Sequence, residues 1–341
     1  MKNPYELAEN ILQSVSDGAE SSVLSGGFTS IDLYGASVLR KDEDDEDCNS
    51  FYLENESGVG NIILYQVFPG IELVYNDMHL AYCSKQQQTS SSVLEINYCK
   101  EGRCECLFGE HQYCYMSAGD LSFCFLKDNV HQSEFPTAHY HGITVTIDFA
   151  GITDEMKKIL ELLSVDLEWI KEISRMRDFT IIRANSTVEH IFSELYTVPE
   201  KIRHGYIRVK VLEILLVLTG LEPGKDEAER VHFSESQIEV IKEIHGFHVE
   251  HFNEHYTISQ LSERFEISPT IMKKCFKGVY GDSIYAYMKR YRLQVAERLL
   301  KESQLTVGEI AAQIGYLNPN KFTSAFCGEY GVPPTSYRKK V

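Results

Sequence analysis

The 341-residue chain contains no apolar stretch long enough for a membrane span: the longest, residues 211–221, is broken by Glu213, short of the ~20 residues a bilayer requires. Its opening, MKNPYELAEN, lacks the basic-then-apolar pattern of an export signal, so a cytoplasmic location and no membrane partner are expected. It also lacks any CxxC pair, although it has nine cysteines; an odd number spread through a long chain in a reducing compartment predicts thiols. No phosphate-cradling glycine loop, Ser/His/Asp signature or pair of catalytic carboxylates stands out, so no enzyme activity, cofactor, metal or catalytic residue is expected. Positive charge is the remaining shortage. Against 50 Asp+Glu stand 33 Lys+Arg, a net charge of -17. Spread evenly, that excess would repel nucleic acid.

The charge is not spread evenly. Residues 256–341 hold 13 Lys/Arg and 7 Asp/Glu, a net of +6, which leaves -23 for residues 1–255. An acidic body therefore carries a basic C-terminal module. A hydrophobic share of 43% and a charged share of 24% are those of a globular protein, and the length suits two or three domains.

Residues 1–61 are polar and rich in Gly and Ser, and are expected to form an N-terminal extension; its acidic run, residues 42–47 (DEDDED), is expected as a solvated loop. From 62 to 150, short alternating runs such as VLEINYC (93–99), CECLF (104–108), LSFCFL (121–126) and ITVTIDF (143–149) predict a β-sandwich or barrel. At Thr153 the period turns helical, with Met156, Ile159, Leu160 and Leu163 on one face. Within the helical segment 151–221, the stretch from Pro199 aligns Ile202, Tyr206, Val209, Leu212 and Leu216. That stripe is either a seam with the chain's own sheet or a dimerisation surface. Residues 222–235 (EPGKDEAERVHFSE) read as a linker.

The last hundred residues repeat themselves. At an offset of 49, Thr257, Ile258, Leu261 and Phe265 match Thr306, Val307, Ile310 and Ile314; at 50, Ser268, Pro269, Met272, Phe276, Tyr280 and Gly281 match Asn318, Pro319, Phe322, Phe326, Tyr330 and Gly331. Each copy predicts a short helix, a turn, and a second helix opened by a capping residue followed by Pro. Two helices across a short turn make a helix-turn-helix, whose second helix can enter a DNA major groove. Periodicity leaves Thr270, Lys273, Lys274 and Lys277 on the outer face of the first such helix, and Asn320, Lys321, Thr323 and Ser324 on that of the second, with Ile271, Met272, Cys275, Phe276 and Val279 expected inward. Cations suit phosphates and guanine edges, and Asn, Thr and Ser suit base edges. Between the copies, residues 286–303 predict a helix of about 27 Å carrying Lys289, Arg290, Arg292 and Arg298.

Residues 236–340 closely resemble the AraC/XylS family of bacterial transcription regulators, above all in EIAAQIGYLNPNKFTSAFCGEYGVPPTSYRKK. The resemblance implies an all-α DNA-binding domain with two helix-turn-helix units over 236–341, and double-stranded DNA and RNA polymerase as partners. Where this chain has Ser324 and Cys327 the family often has Arg or Lys. It further implies an α+β multidomain chain, with a cupin-like β-barrel over 62–150 that binds a small-molecule effector and a helical segment that makes a homodimer. Candidate effector contacts are His79, Tyr98, His131, His139 and His141. Clustered thiols at Cys99, Cys104, Cys106, Cys114 and Cys124, together with the N-terminal histidines His79, His131, His139 and His141, leave a redox- or metal-responsive regulator as the alternative. A cupin enzyme is disfavoured, since no glutamate follows His139 and His141 at the spacing such enzymes use, and Ser122 stands where they place a His.

Overall fold

The computed structural model describes residues 29–31, 38–45, 48–84, 93–108, 112–126, 132–175, 179–221 and 232–339. Strands β1 (Val38–Asp45), β2 (Cys48–Asn55), β3 (Gly58–Phe68), β4 (Ile71–His79), β5 (Tyr82–Ser84), β6 (Val93–Phe108), β7 (Gln112–Ser117), β8 (Leu121–Phe125), β9 (Gln132–Glu134) and β10 (Tyr140–Asp148) come first. Helices α1 (Asp154–Leu162), α2 (Leu167–Arg175), strand β11 (Thr180–Ile182), α3 (Ser186–Leu195) and α4 (Arg203–Thr219) follow. After β12 (Phe233–Ser234) come α5 (Glu235–Glu250), α6 (Ile258–Arg264), α7 (Pro269–Tyr280), α8 (Ile284–Glu302), α9 (Val307–Gln313), α10 (Pro319–Tyr330) and α11 (Pro334–Arg338).

Ten strands form one sheet, in the order β1-β2-β3-β4-β10-β6-β7-β12, with β8 joining β6 to β11. The path is open among the described residues, so the N-terminal region is a sheet-rich domain, and the barrel closure expected from the sequence is not seen in it. The sheet also begins earlier than position 62. Strands β1, β2 and part of β3 lie in what the sequence suggested was an extension, and the acidic run pairs as strand up to Asp45. The polar residues mislead because β1 is an edge strand, where charged residues are the usual protection. The β2–β3 turn is set by Asn55, whose carboxamide oxygen accepts from the Ser57 N–H at 2.8 Å and from its hydroxyl at 2.7 Å.

Alternation gives the sheet two apolar faces. Leu73 of β4 with Ile143, Val145 and Ile147 of β10 packs in a core shared with Met156, Ile170, Phe192 and Ile214 of α1 to α4, while Ile62, Leu64, Val74 and Met78 build a second core. The segments expected separately at 93–99 and 104–108 are one strand, β6, which pairs with β10 and β8 through its first half and with β7 through its second. Ile159 and Leu163, expected inward on α1, are exposed. Residues 222–231 of the expected linker lie outside the described residues, but Phe233 and Ser234 pair with Tyr113 and Gln112 of β7. Ser234 then caps α5 in a reciprocal box with Gln237.

The C-terminal domain has two cores that share one helix. Ile238, Ile241 and Ile244 of α5, Leu261 of α6, and Met272 and Phe276 of α7 pack with Ile284 and Met288 at the start of α8. Leu293, Ala296 and Leu300 at the end of α8 pack with Ile310, Phe322 and Phe326. Arg292, in the middle, is buried and donates to the carbonyls of Phe252 and Glu254, at 2.7 Å to the latter. It is a structural staple of the α5–α6 connection, while its neighbour Arg290 is only half-buried and pairs with Asp282. No helix among the described residues is long and apolar enough to cross a membrane.

Burial lowers the pKa of His245 to about 4, and burial with Arg292 and neighbouring histidines does the same for His248. Neither ring nitrogen of His248 has a hydrogen-bond partner. An unfolded imidazole titrates near 6.5, so the unfolded chain takes up protons first as the pH falls. Stability is therefore whole above about pH 6.5 and is lost progressively toward pH 4. At ~1.4 kcal/mol per pH unit, the buried His248 alone accounts for about 3 kcal/mol. The thermal midpoint of the full chain is expected to drop across that window and to drop less in His248→Leu; the same acid loss in both proteins would contradict this.

Candidate nucleic-acid interface

Each repeat is built by the same short-range signals. Thr257 and Thr306 cap α6 and α9 in reciprocal boxes with Gln260 and Glu309. Ser268 and Asn318 cap α7 and α10, each with Pro at the first turn, and both helices end at a glycine in the left-handed region, Gly281 (φ 86°) and Gly331 (φ 71°). A side chain in that conformation costs of order 1 kcal/mol, which explains glycine at both ends. The inserted residue between the two copies falls in the turn before α10, where Leu317 is wholly exposed.

Thr270, Lys273, Lys274 and Lys277 lie exposed on α7, as do Asn320, Lys321 and Ser324 on α10, with Thr323 half-buried. Their opposite faces supply Met272, Cys275, Phe276 and Val279, and Phe322 and Phe326, to the cores. Ile271 differs from expectation: it lies exposed beside Thr270 instead of inward, since the buried stripe of α7 runs through Met272, Cys275, Phe276 and Val279 at i, i+3, i+4 and i+7 and leaves Ile271 at its edge. None of the four lysines forms an ion pair with another described residue, whereas Arg290 pairs with Asp282 at 2.7 Å and Lys301 pairs with Glu297. Cations left without internal partners are free to take phosphates. The 19-residue α8 is about 28 Å long at ~1.5 Å per residue, comparable with the ~34 Å between successive turns of one DNA face.

The sheet domain grips this module from behind. Arg103 of β6 donates to the carbonyls of Gly278 and Val279 near the end of α7, the latter at 2.9 Å, and to the Ser117 hydroxyl at 2.8 Å. Lys242 of α5 pairs with Glu105 at 3.3 Å and with Glu134. Burial raises the Glu105 pKa, while for Lys242 burial is outweighed by the two carboxylates and its pKa rises. Gly278 is required here, because a Cβ would lie 2.3 Å from the Phe233 ring. Sequence reasoning missed Arg103 and Lys242, since only the docking of two domains gives them partners.

Of the candidate effector contacts, His79, His139 and His141 come together, with side-chain nitrogens within 4.8 Å of one another. Burial, then His141 and His79, lowers the His139 pKa. His131 lies outside the described residues. Tyr98 lies apart from the three histidines: it stacks on Phe192 at 4.3 Å and lines an open cavity of about 490 Å³ with Lys100, Gly119, Glu189, His190 and Ser193. Asp120, next to that cavity, is a buried anchor that accepts from Arg183 at 2.5 Å and from the Ser117 N–H at 2.7 Å. All nine cysteines are free. The Cys106 thiol is held well above its ordinary pKa by Cys104, Cys114 and burial, the opposite of a reactive thiolate.

Along the candidate dimerisation stripe, Ile202, Val209 and Leu216 are 52%, 61% and 47% exposed, while Tyr206 and Leu212 are half-buried. Tyr206 donates to Glu194 at 2.6 Å. Val209 and Leu216 lie seven residues apart on one side of α4, and Ile202 lies in the turn that leads into it.

Residues 261–340 match the family model described as a helix-turn-helix domain. Over 94 residues the chain is 33% identical to the HTH-type transcriptional activator RhaR of Cronobacter sakazakii, covering 28% of this chain and 30% of that protein. Over 85 residues it is 29% identical to the HTH-type transcriptional regulator AlkR of Acinetobacter baylyi, covering 25% and 28%. The DNA-binding domain of AdpA, solved in complex with a target DNA, is 25% identical, covering 29% of this chain and 90% of that one with a TM-score of 0.29. The matched stretch spans 12% to 39% of the length of its curated relatives. The C-terminal region of this chain is an AraC-type helix-turn-helix domain.

Replacing Lys273, Lys274 and Lys277 together by Gln is expected to weaken DNA binding across sequences and to flatten the log K against log salt slope by up to ~0.9 per lost phosphate contact. Asn320→Ala is expected to lose discrimination at one base pair, about 1–3 kcal/mol. Fluorescence anisotropy over a salt series reads both. An unchanged slope in the triple variant would remove α7 from the interface.

Proposed function

We propose that the chain is a sequence-specific transcription regulator whose two helix-turn-helix units occupy adjacent major-groove segments of one duplex. One observation carries this reading: two copies of a cationic or polar helix face, internally unpaired, are fixed to the two ends of a single helix that belongs to both cores. Neither copy alone would exceed a solvated surface helix in significance. The base readers are Thr270, Lys273, Lys274, Asn320, Lys321 and Ser324, with Lys277 and Thr323 at their margins. The protein acts by binding, without catalysis, and RNA polymerase is the partner through which it activates transcription.

The sheet domain, of cupin-like type, is the sensing part. A small polar effector in the cavity beside Tyr98 would contact Lys100 and Glu189, and Lys100 lies three residues along β6 from Arg103. An effector that binds one docking arrangement of the domains more tightly shifts DNA affinity by the same factor that DNA shifts its own. Two copies associate through Ile202, just ahead of α4, and Val209 and Leu216 on it. The thiol-based alternative is weakened by the raised pKa of Cys106.

The direct test is titration of the full-length protein against DNA from upstream of its own gene and against scrambled DNA, across a salt series. Preference for the upstream DNA, weakening steeply with salt, is expected; equal affinity for both sequences at every salt would count against sequence-specific binding at that site, and no binding at low salt would overturn the reading. In sedimentation velocity the full chain is expected to run as a dimer, and Val209→Asp with Leu216→Asp as a monomer of unchanged circular dichroism. A wild-type monomer at micromolar concentration would remove the α4 interface.

A further inference from the structure

We propose that His79, His139 and His141 form a binding site for one divalent transition-metal ion of the zinc type, supported by Asp77 and Glu101. Three neighbouring strands assemble it. Strand β10 pairs with β4 so that His141 faces Asp77, and with β6 so that His141 faces Glu101. His79 closes β4 two residues beyond Asp77, and His139 sits just ahead of β10. None of these five residues touches the Tyr98 cavity.

The backbone around the cluster is specialised to bring it together. Gly102, beside Glu101, has φ 82°, and a Cβ there would fall 1.9 Å from the carbonyl oxygen of His139. Only glycine lets β6 approach the His139 backbone so closely. Ala138, immediately before His139, is a non-glycine residue at φ 49°, held in a turn by its N–H donating to the Phe135 carbonyl at 2.8 Å. Such conformations cost of order 1 kcal/mol and concentrate at sites where position matters.

The side-chain geometry is that of ligands around a shared point. The Nδ1 atoms of His79 and His139 are 3.4 Å apart, and two nitrogens ~2.0–2.1 Å from a tetrahedral zinc are separated by about 3.4 Å. The three rings lie 4.7, 5.2 and 5.5 Å apart between centroids. Carboxylates meet the ring nitrogens: Asp77 Oδ1 is 2.9 Å from His79 Nε2 and 2.5 Å from His141 Nε2, and Glu101 Oε2 is 3.6 Å from His139 Nε2 and 4.0 Å from His141 Nδ1. A carboxylate on the far nitrogen fixes the tautomer and orientation of a metal-bound histidine. Although Asp77 Oδ1 and His141 Nε2 stand at 2.5 Å, they are not aligned as a hydrogen bond, and both atoms are buried without any hydrogen-bond partner. At 2.5 Å the two atoms stand too close for an ion between them, so Asp77 acts on the far nitrogen of His141, as it does on that of His79, and leaves Nδ1 to the metal. Three imidazoles and a carboxylate favour zinc, nickel or copper over magnesium and calcium, which take oxygen donors.

The site stands independently of DNA binding. Full-length protein stripped with a chelator would be titrated with Zn²⁺ by calorimetry and its metal content measured after desalting. One ion per chain is expected, with binding reduced at least 100-fold by His139→Gln with His141→Gln, and by ~10–100-fold in Asp77→Asn. Co²⁺ in place of Zn²⁺ would report the ligand geometry through its visible absorption. Circular dichroism of the metal-free variants checks folding, and His79→Gln, at an exposed ligand, serves if the double variant fails to fold. Absence of stoichiometric uptake, or uptake untouched in the histidine variants and lost in Cys104→Ser with Cys106→Ser, would overturn the proposal.

Discussion

The structure depends on α8 serving two cores at once. Ile284 and Met288 close the first helix-turn-helix, Leu293, Ala296 and Leu300 close the second, and Arg292 between them ties down the α5–α6 connection. Rotating one unit against the other would expose one of these apolar sets. Protein cores are packed at crystal-like density and do not deform continuously, so the separation and relative angle of the two outer faces are properties of one helix. In the proposed binding mode, weak individual contacts by Asn320, Thr323 and Ser324 on α10 would act with the lysines of α7 as a single binding surface.

The link to the sheet domain has a different chemistry. It combines a short strand pairing at β12, a half-buried arginine on backbone carbonyls of α7, and the Glu105–Lys242–Glu134 group, with Tyr115 donating to Glu105. Polar groups buried together stabilise a contact only while every partner is in place. Under the proposed function, loss of one of these partners would weaken the whole contact, and that is how binding elsewhere on β6 would shift it. The same strand carries Tyr98 and Lys100 at the cavity, Glu101 at the histidine cluster and Arg103 at the junction.

The DNA-facing half was legible because its signals are local. Ser268-Pro269 and Asn318-Pro319 mark helix starts within two residues, and the 3.6-residue period separates Met272 and Phe276 from Lys273 and Lys277. The repeat then gave what a lone helix cannot, a reason to treat an exposed cationic face as functional. The sheet domain was less legible at its edges, where β1 and β2 carry charge that reads as loop. The histidine cluster was half visible: His139 and His141 alternate on one strand face, but His79, Asp77 and Glu101 join them only through registers between strands far apart in sequence. Arg103 and Lys242 carry no local signal at all.

The central claim is that one protomer presents two reading heads at a fixed spacing. Hydroxyl-radical footprinting of the full-length protein on a bound site tests it most directly. The account predicts two protected segments per protomer, centred about one helical turn apart on the same face of the duplex, with Lys321→Gln weakening only one of them. A single protected segment per protomer, or two whose spacing varies from site to site, would contradict it.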